Sequence, residues 1–162
     1  MERVSKHNYY LDIAETVSER GTCLRRRFGA IIVKNDVIIS TGYNGSPRGR
    51  QNCTDIGSCY REKLKIPRGE RYELCRSVHS EANAIIAAAR ENMLGASLYM
   101  CCTSPVTGEI QPNTNSCMMC KKLIINAGIS KVYIRGTADE FREIDVSEWV
   151  ENDDSLSGAL GY

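Results

Sequence analysis

The chain has 162 residues, about one domain's length. Hydrophobic residues are 42% and charged residues 25%, and 21 Lys+Arg against 20 Asp+Glu leave a net charge of +1. That balance speaks against a protein that tracks a polynucleotide backbone, which is normally clearly basic, and no run of about 18 apolar residues is present to cross a membrane.

Tyr10, Ile13, Ala14 and Val17 recur at helical spacing and predict an amphipathic helix over 3–19, ended near Gly21. His7, at its start, reads as a surface residue. Residues 28–33 and 37–43 are β-rich runs around Lys34-Asn35-Asp36, a connection that requires an antiparallel hairpin. Residues 44–76 are rich in Gly, Cys and Arg and weakly periodic, so they need a function or a local staple. A mostly apolar, buried helix is expected over 79–90, a strand over 98–103 and a polar loop over 104–116. A second helix covers 117–127, with Gly128 as its stop. Strands at 131–135 and 141–146 and a short helix from Ser147 complete the reading.

Strands alternating with buried helices predict an α/β fold, a three-layer αβα sandwich. Residues 136–140 are too few for a parallel crossover, which takes about a dozen, so the last strand is expected to be antiparallel. Residues 1–152 read as a single domain with a Cys-rich insertion at about 44–76, and residues 153–162 as a flexible tail.

Eight cysteines are unusual. No apolar leader follows Met1, so they are expected to serve metal binding or catalysis in a reducing cytoplasm rather than disulfides. His79-Ser80-Glu81 opens one expected helix and Cys117-Met118-Met119-Cys120 opens another. Cysteines at i and i+3 share a helical face, so both sulfurs can reach one ion. With His79 they give three protein ligands and leave a fourth position for water, the pattern of a catalytic Zn²⁺ site. Positive helix starts favour the thiolates. Glu81 is placed to take a proton from the water and hand it on. A lone Cys-x-x-Cys also occurs in structural zinc half-sites and redox pairs, but a non-enzymatic zinc module has no use for a carboxylate beside an open metal position. The combination is the signature of zinc nucleobase deaminases, with Ser116 where a Pro usually stands. Met118 and Met119 read as space-fillers. Cys101 and Cys102 are adjacent on a strand, so they point to opposite faces and read as buried hydrophobes.

His79-Ser80-Glu81-Ala82-Asn83-Ala84-Ile85 closely resembles the corresponding segment of the deoxycytidylate (dCMP) deaminases. Lys122-Leu123-Ile124-Ile125-Asn126-Ala127-Gly128-Ile129 is similar to their helix after the Cys-x-x-Cys. Phe28-Gly29-Ala30-Ile31-Ile32-Val33 and Gly42-Tyr43-Asn44-Gly45-Ser46-Pro47 match their first hairpin, and the resemblance spans roughly residues 4–135. It implies a cytidine-deaminase-like mixed sheet and hydrolysis of dCMP to dUMP and ammonia, supplying dUMP for dTMP synthesis. It also implies a homo-oligomer, often a hexamer, activated by dCTP and inhibited by dTTP, with Mg²⁺ accompanying the triphosphates.

Within that resemblance Asn44 holds the sugar hydroxyl and base, and Gly42, Tyr43, Asn44 and Gly45 belong to the effector site as well. Phosphate recognition calls for arginines. Of Arg25, Arg26, Arg27, Arg48, Arg50 and Arg76, the expected pair is Arg27 and Arg48, which flank the hairpin. Some relatives carry a second zinc. Cys23 and Cys53 match its cysteine ligands, and Cys59 and Cys75 could complete a structural four-cysteine site that orders the insertion. Deaminases of free cytidine, tRNA adenosine or single-stranded DNA are the alternatives. The near-zero charge weakens the polynucleotide ones.

Overall fold

The computed structural model describes residues 1–152, and the tail expected at 153–162 lies outside them. Helix α1 (Lys6–Ser18) begins at Lys6 rather than residue 3, because the Ser5 hydroxyl oxygen accepts the Asn8 N–H at 3.2 Å and caps it. Strands β1 (Arg27–Lys34) and β2 (Val37–Tyr43) form the expected hairpin. Asn35 and Asp36 make its turn with φ of 51° and 62°, the left-handed pair of a two-residue type I′ connection.

The sheet order is β2-β1-β3-β4-β5. Strand β3 (Ser97–Thr103) is antiparallel to β1 and parallel to β4 (Lys131–Arg135). Strand β5 (Phe141–Asp145) is antiparallel to β4, as its short connection requires.

The three central strands are buried on both faces, which is why they read as continuous apolar runs. Alternate side chains sort the core. Ile31, Val33, Tyr99, Cys101 and Tyr133 face α1 through Tyr10, Leu11 and Ala14. Phe28, Ala30, Ile32, Leu98, Met100, Cys102, Val132 and Ile134 face the other layer. That layer holds α4 (Ser80–Ile86), α5 (Arg90–Met93), α6 (Met118–Ala127) and α7 (Ser147–Glu151). The cysteine pair therefore splits between the faces, and burial pushes both thiols up to about 12.

Two expectations change. The helix predicted over 79–90 stops at Ile86, which is 75% exposed. The break turns the chain so that Met93 and Ala96 enter the core cluster, and tertiary burial outweighs the helix preference of the alanines. His7 is not a free surface residue. Its ring stacks on Tyr133 at 4.4 Å and its Nδ1 lies 2.8 Å from the Tyr99 hydroxyl.

The insertion is not structureless. It carries α2 (Cys53–Ile56), α3 (Tyr60–Lys63) and a 3₁₀ turn at Tyr72–Leu74. Hydrogen bonds staple it. Asn52 Oδ1 accepts from the Thr22 hydroxyl at 3.0 Å and from the Ser46 N–H at 3.3 Å, and Arg76 Nε donates to the Gln51 carbonyl at 2.8 Å.

Two glycines let helices touch the sheet. A Cβ at Gly29 would sit 2.1 Å from the Ala14 carbonyl oxygen of α1. A Cβ at Gly42 would sit 2.4 Å from both the Ala84 nitrogen and the Ser80 oxygen of α4. Backbone atoms cannot swing aside as a flexible side chain can, so Gly42→Ala is expected to cost about 1–3 kcal/mol. Urea unfolding measures it: the midpoint should fall with little change in slope, and an unchanged midpoint would contradict the contact.

Candidate metal centre and its cavity

The start of α4 is pinned by an isolated bridge. Gly45 N–H donates to the Val78 carbonyl at 3.1 Å, and Val78 N–H donates back at 2.7 Å. Asn83 Nδ2 donates to the Tyr43 carbonyl at 2.8 Å. His79 is thereby fixed as the residue before α4, and Cys117 stands in the same position before α6. His79 Nδ1 lies 3.3 Å from Cys117 Sγ and 3.5 Å from Cys120 Sγ. All three side chains are buried, and among the described residues they are the one group of three or more His, Cys or acidic donors within 4.8 Å of one another.

The donor chemistry fits Zn²⁺. Tetrahedral bonds of about 2.3 Å to sulfur and about 2.0 Å to nitrogen would separate an imidazole nitrogen from a thiolate by roughly 3.5 Å. The protonation pattern shows how closely the donors interact. Burial opposes charge on His79, but hydrogen bonds with Cys117 and Cys75 outweigh it and push the imidazole up to about 10. The hydrogen bond from Cys120, aided by His79, holds the Cys117 thiol well below its usual value, and Cys120 is raised in turn.

Glu81 is 4% exposed, and its Oε1 accepts a hydrogen bond from the Ser80 hydroxyl at 2.8 Å. Its carboxylate also reaches the Cys120 thiol. Ser80 was not singled out by the sequence, although its place between His79 and Glu81 was the available signal. The cavity beside these groups is lined by Cys23, Phe28, Asn44, Cys75, Ser77, His79, Ser80 and Glu81.

Asn44 is at this cavity, but much of its amide serves the fold. Its Oδ1 accepts the Phe28 N–H and its Nδ2 donates to the Arg26 carbonyl, each at 2.9 Å. That leaves one amide hydrogen for a ligand. Arg27 and Arg48 do not line this cavity; Arg25 and Arg26 line an adjoining one.

Cys23, Cys53, Cys59 and Cys75 are neighbours. Burial raises the Cys53 thiol first, and Cys23, Cys75 and Cys59 raise it further. They do not form a ready cluster of donors. Cys75 instead approaches His79: burial raises its thiol, but hydrogen bonds from His79 and the Ser77 backbone outweigh that and lower it. Tyr72, also missed by the sequence reading, sets its ring edge on His79 at 5.3 Å and packs with Cys117 and Cys120. Met118 and Met119 are 39% and 40% exposed, so they do not fill space between the ligands.

Residues 4–135 match the cytidine and deoxycytidylate deaminase zinc-binding region. The chain is 32% identical over 130 residues to the deoxycytidylate deaminase of Schizosaccharomyces pombe, covering 80% of this chain and 37% of that protein's length. It is 35% identical over 137 residues to the deoxycytidylate deaminase of Mycobacterium phage D29, covering 82% of this chain and 95% of the phage protein. The dCMP deaminase of cyanophage S-TIM5, solved in complex with dCMP and dUMP, is 25% identical with a TM-score of 0.56, and 95% of each chain is covered.

The three donors come from two separate helix starts held by the sheet, so the site should be lost without the fold. Cys120→Ala is expected to lose the zinc that the wild-type chain retains at this centre after dialysis, with its far-UV circular dichroism kept. Elemental analysis beside the spectrum checks this, and full retention of zinc in the variant would contradict the ligand assignment.

Proposed function

The chain belongs to the cytidine and deoxycytidylate deaminase family, and we propose that it hydrolyses dCMP to dUMP and ammonia. The observation that carries this reading is the convergence of His79 Nδ1 with two thiols beside a buried carboxylate. The deoxycytidylate deaminases it is similar to, and the cyanophage relative that holds dCMP and dUMP, support the substrate.

His79, Cys117 and Cys120 would hold Zn²⁺, which when bound lowers the pKa of a coordinated water to about 7 and so supplies a nucleophile at neutral pH. Glu81 takes a proton from the attacking water and delivers it to N3 of the cytosine as oxygen bonds to C4. It then takes the proton of the new C4 hydroxyl and delivers it to the exocyclic amine. The C4–N bond breaks, ammonia leaves and the C4 carbonyl of dUMP forms. Ser80, donating to Oε1, holds the carboxylate in place for both transfers. Asn44 offers its remaining amide hydrogen to the substrate.

The same reading has dCTP activate and dTTP inhibit, each with Mg²⁺, through Gly42, Tyr43, Asn44 and Gly45. Support comes from the bonds of that segment to Val78 and Asn83, which flank His79 and Glu81. A second Zn²⁺ on Cys23, Cys53, Cys59 and Cys75 would close the insertion; its support is that the other three thiols all act on Cys53, and it requires the four to draw closer than they stand here. A homo-oligomer agrees with exposed Ile86, Met118, Met119 and Leu123 on α4 and α6. Among the described residues no helix is long and apolar enough to cross a membrane, and a cytoplasmic setting would keep the thiols reduced.

Two measurements test this. Glu81→Gln should keep its zinc but lose about 10²–10⁴-fold in turnover, read as ammonia release; turnover at the wild-type rate would remove Glu81 from the mechanism. Assays on dCMP, CMP, cytidine, dCTP and single-stranded DNA, with and without dCTP and dTTP, should favour dCMP. A clear preference for another substrate would overturn the substrate assignment.

A further inference from the structure

Four tyrosines and a histidine form one continuous file of rings on the α1 side of the sheet. The ring centres of Tyr9 and Tyr10 are 5.1 Å apart, those of Tyr10 and Tyr99 5.1 Å, and those of Tyr99 and Tyr133 4.7 Å. His7 stacks on Tyr133 at 4.4 Å. Such spacings are direct ring-to-ring contact. Tyr10, Tyr99 and Tyr133 are buried, whereas Tyr9 at the end of the file is 48% exposed. The file therefore runs from the interior to the surface.

Packing alone would be served by phenylalanine. Here every buried hydroxyl meets an ionisable group, each on a different element. Tyr10 donates to Asp36 in the β1–β2 turn, and Tyr133 donates to Glu143 on β5 at 2.7 Å. The Tyr99 hydroxyl lies 2.8 Å from Nδ1 of His7 on α1. With its ring proton on Nε2, His7 accepts from Tyr99. All three phenols hold their protons at neutral pH. The Asp36 hydrogen bond pushes Tyr10 up to about 12, burial pushes Tyr99 up to about 12, and burial with the Glu143 hydrogen bond raises Tyr133. A buried ring that lost only an electron would become an uncompensated cation, which an apolar layer penalises. A base at hydrogen-bond distance removes that penalty by taking the hydroxyl proton as the electron leaves.

We propose that this file is a radical relay: Tyr133, Tyr99 and Tyr10 pass an oxidising equivalent between the interior and Tyr9 at the surface, while Glu143, His7 and Asp36 each hold the proton of the tyrosine beside them. A one-electron oxidant takes an electron from one tyrosine, whose O–H proton passes to its base and leaves a neutral tyrosyl radical. The next tyrosine gives its electron to that radical and its proton to its own base, and the first proton returns to the first oxygen. At the surface a small thiol gives a hydrogen atom to the Tyr9 radical, and two of the resulting thiyl radicals join as a disulfide. The relay clears oxidising equivalents from the layer that holds the buried Cys101 thiol. It lies on the other face of the sheet from the metal donors and does not rest on the deaminase reading.

The test uses the full chain with a trap at the inner end, Tyr133→aminotyrosine, a ring more easily oxidised than tyrosine. A photogenerated ruthenium(III) polypyridyl complex, too bulky to enter the buried layer, oxidises from outside, and electron paramagnetic resonance of flash-frozen samples reads where the radical rests. An aminotyrosyl signal is expected, appearing more slowly in heavy water. Adding Tyr99→Phe keeps the rings but removes one hydroxyl and its proton path, so the trap signal should be lost while tyrosyl radical remains nearer the surface. Tyr10→Phe should do the same and decides the matter if the Tyr99→Phe chain does not fold, with circular dichroism checking each variant. A file that serves packing alone would leave the trap signal indifferent to these hydroxyls. A trap signal undiminished by both changes, or none while Tyr9 is oxidised in the intact file, would overturn the proposal.

Discussion

The site depends on a backbone contact. Helix α4 lies against β2 where residue 42 has no side chain, and even a methyl group there would sit 2.4 Å from two of the helix's backbone atoms. Close approach sets the height of α4 above the sheet. The Gly45–Val78 bridge then sets where the helix starts. Together they fix His79 in front of the first turn of α6, where Cys117 and Cys120 wait. Neither element alone makes a metal centre, since one brings a single imidazole and the other two thiols.

Around that centre the protein places groups with separate duties. Ser80 restrains the Glu81 carboxylate, and Tyr72 packs against Cys117 and Cys120. The insertion supplies Tyr72, Cys75 and Arg61, so it forms one wall of the site rather than a detached loop. Hydrogen bonds of Asn52 with Thr22 and Ser46, and of Arg76 with Gln51, order it. Helix α1 lies on the opposite face of the sheet. Buried Arg135 ties it to the end of β4 through Asp12 and Glu15, each at 2.7 Å.

The sheet was legible in the sequence because its central strands are continuous apolar runs and its turns carry Asn-Asp or too few residues for a crossover. The cluster of candidate donors was legible because His79, Cys117 and Cys120 sit at helix starts with fixed spacing. Other features are set by contacts distant in sequence, which periodicity does not record. The helix after Glu81 ends early because Met93 and Ala96 are needed in the core. His7 is drawn in by Tyr99 and Tyr133, more than ninety residues away. Arg61 looks like any surface arginine until Pro67, Glu70 and Tyr72 close around it. The insertion's cysteines could be counted but not arranged, because loop paths carry no repeating pattern.

The central claim is an open metal site: three protein donors, with the fourth position left to water beside Glu81. Anomalous diffraction at the zinc edge from crystals of the zinc-loaded protein tests it directly. The account predicts a peak bonded to His79 Nδ1, Cys117 Sγ and Cys120 Sγ, with the remaining position facing Glu81 and free of protein atoms. A peak whose fourth ligand is a side chain such as Cys75, or no peak at these donors, would contradict it.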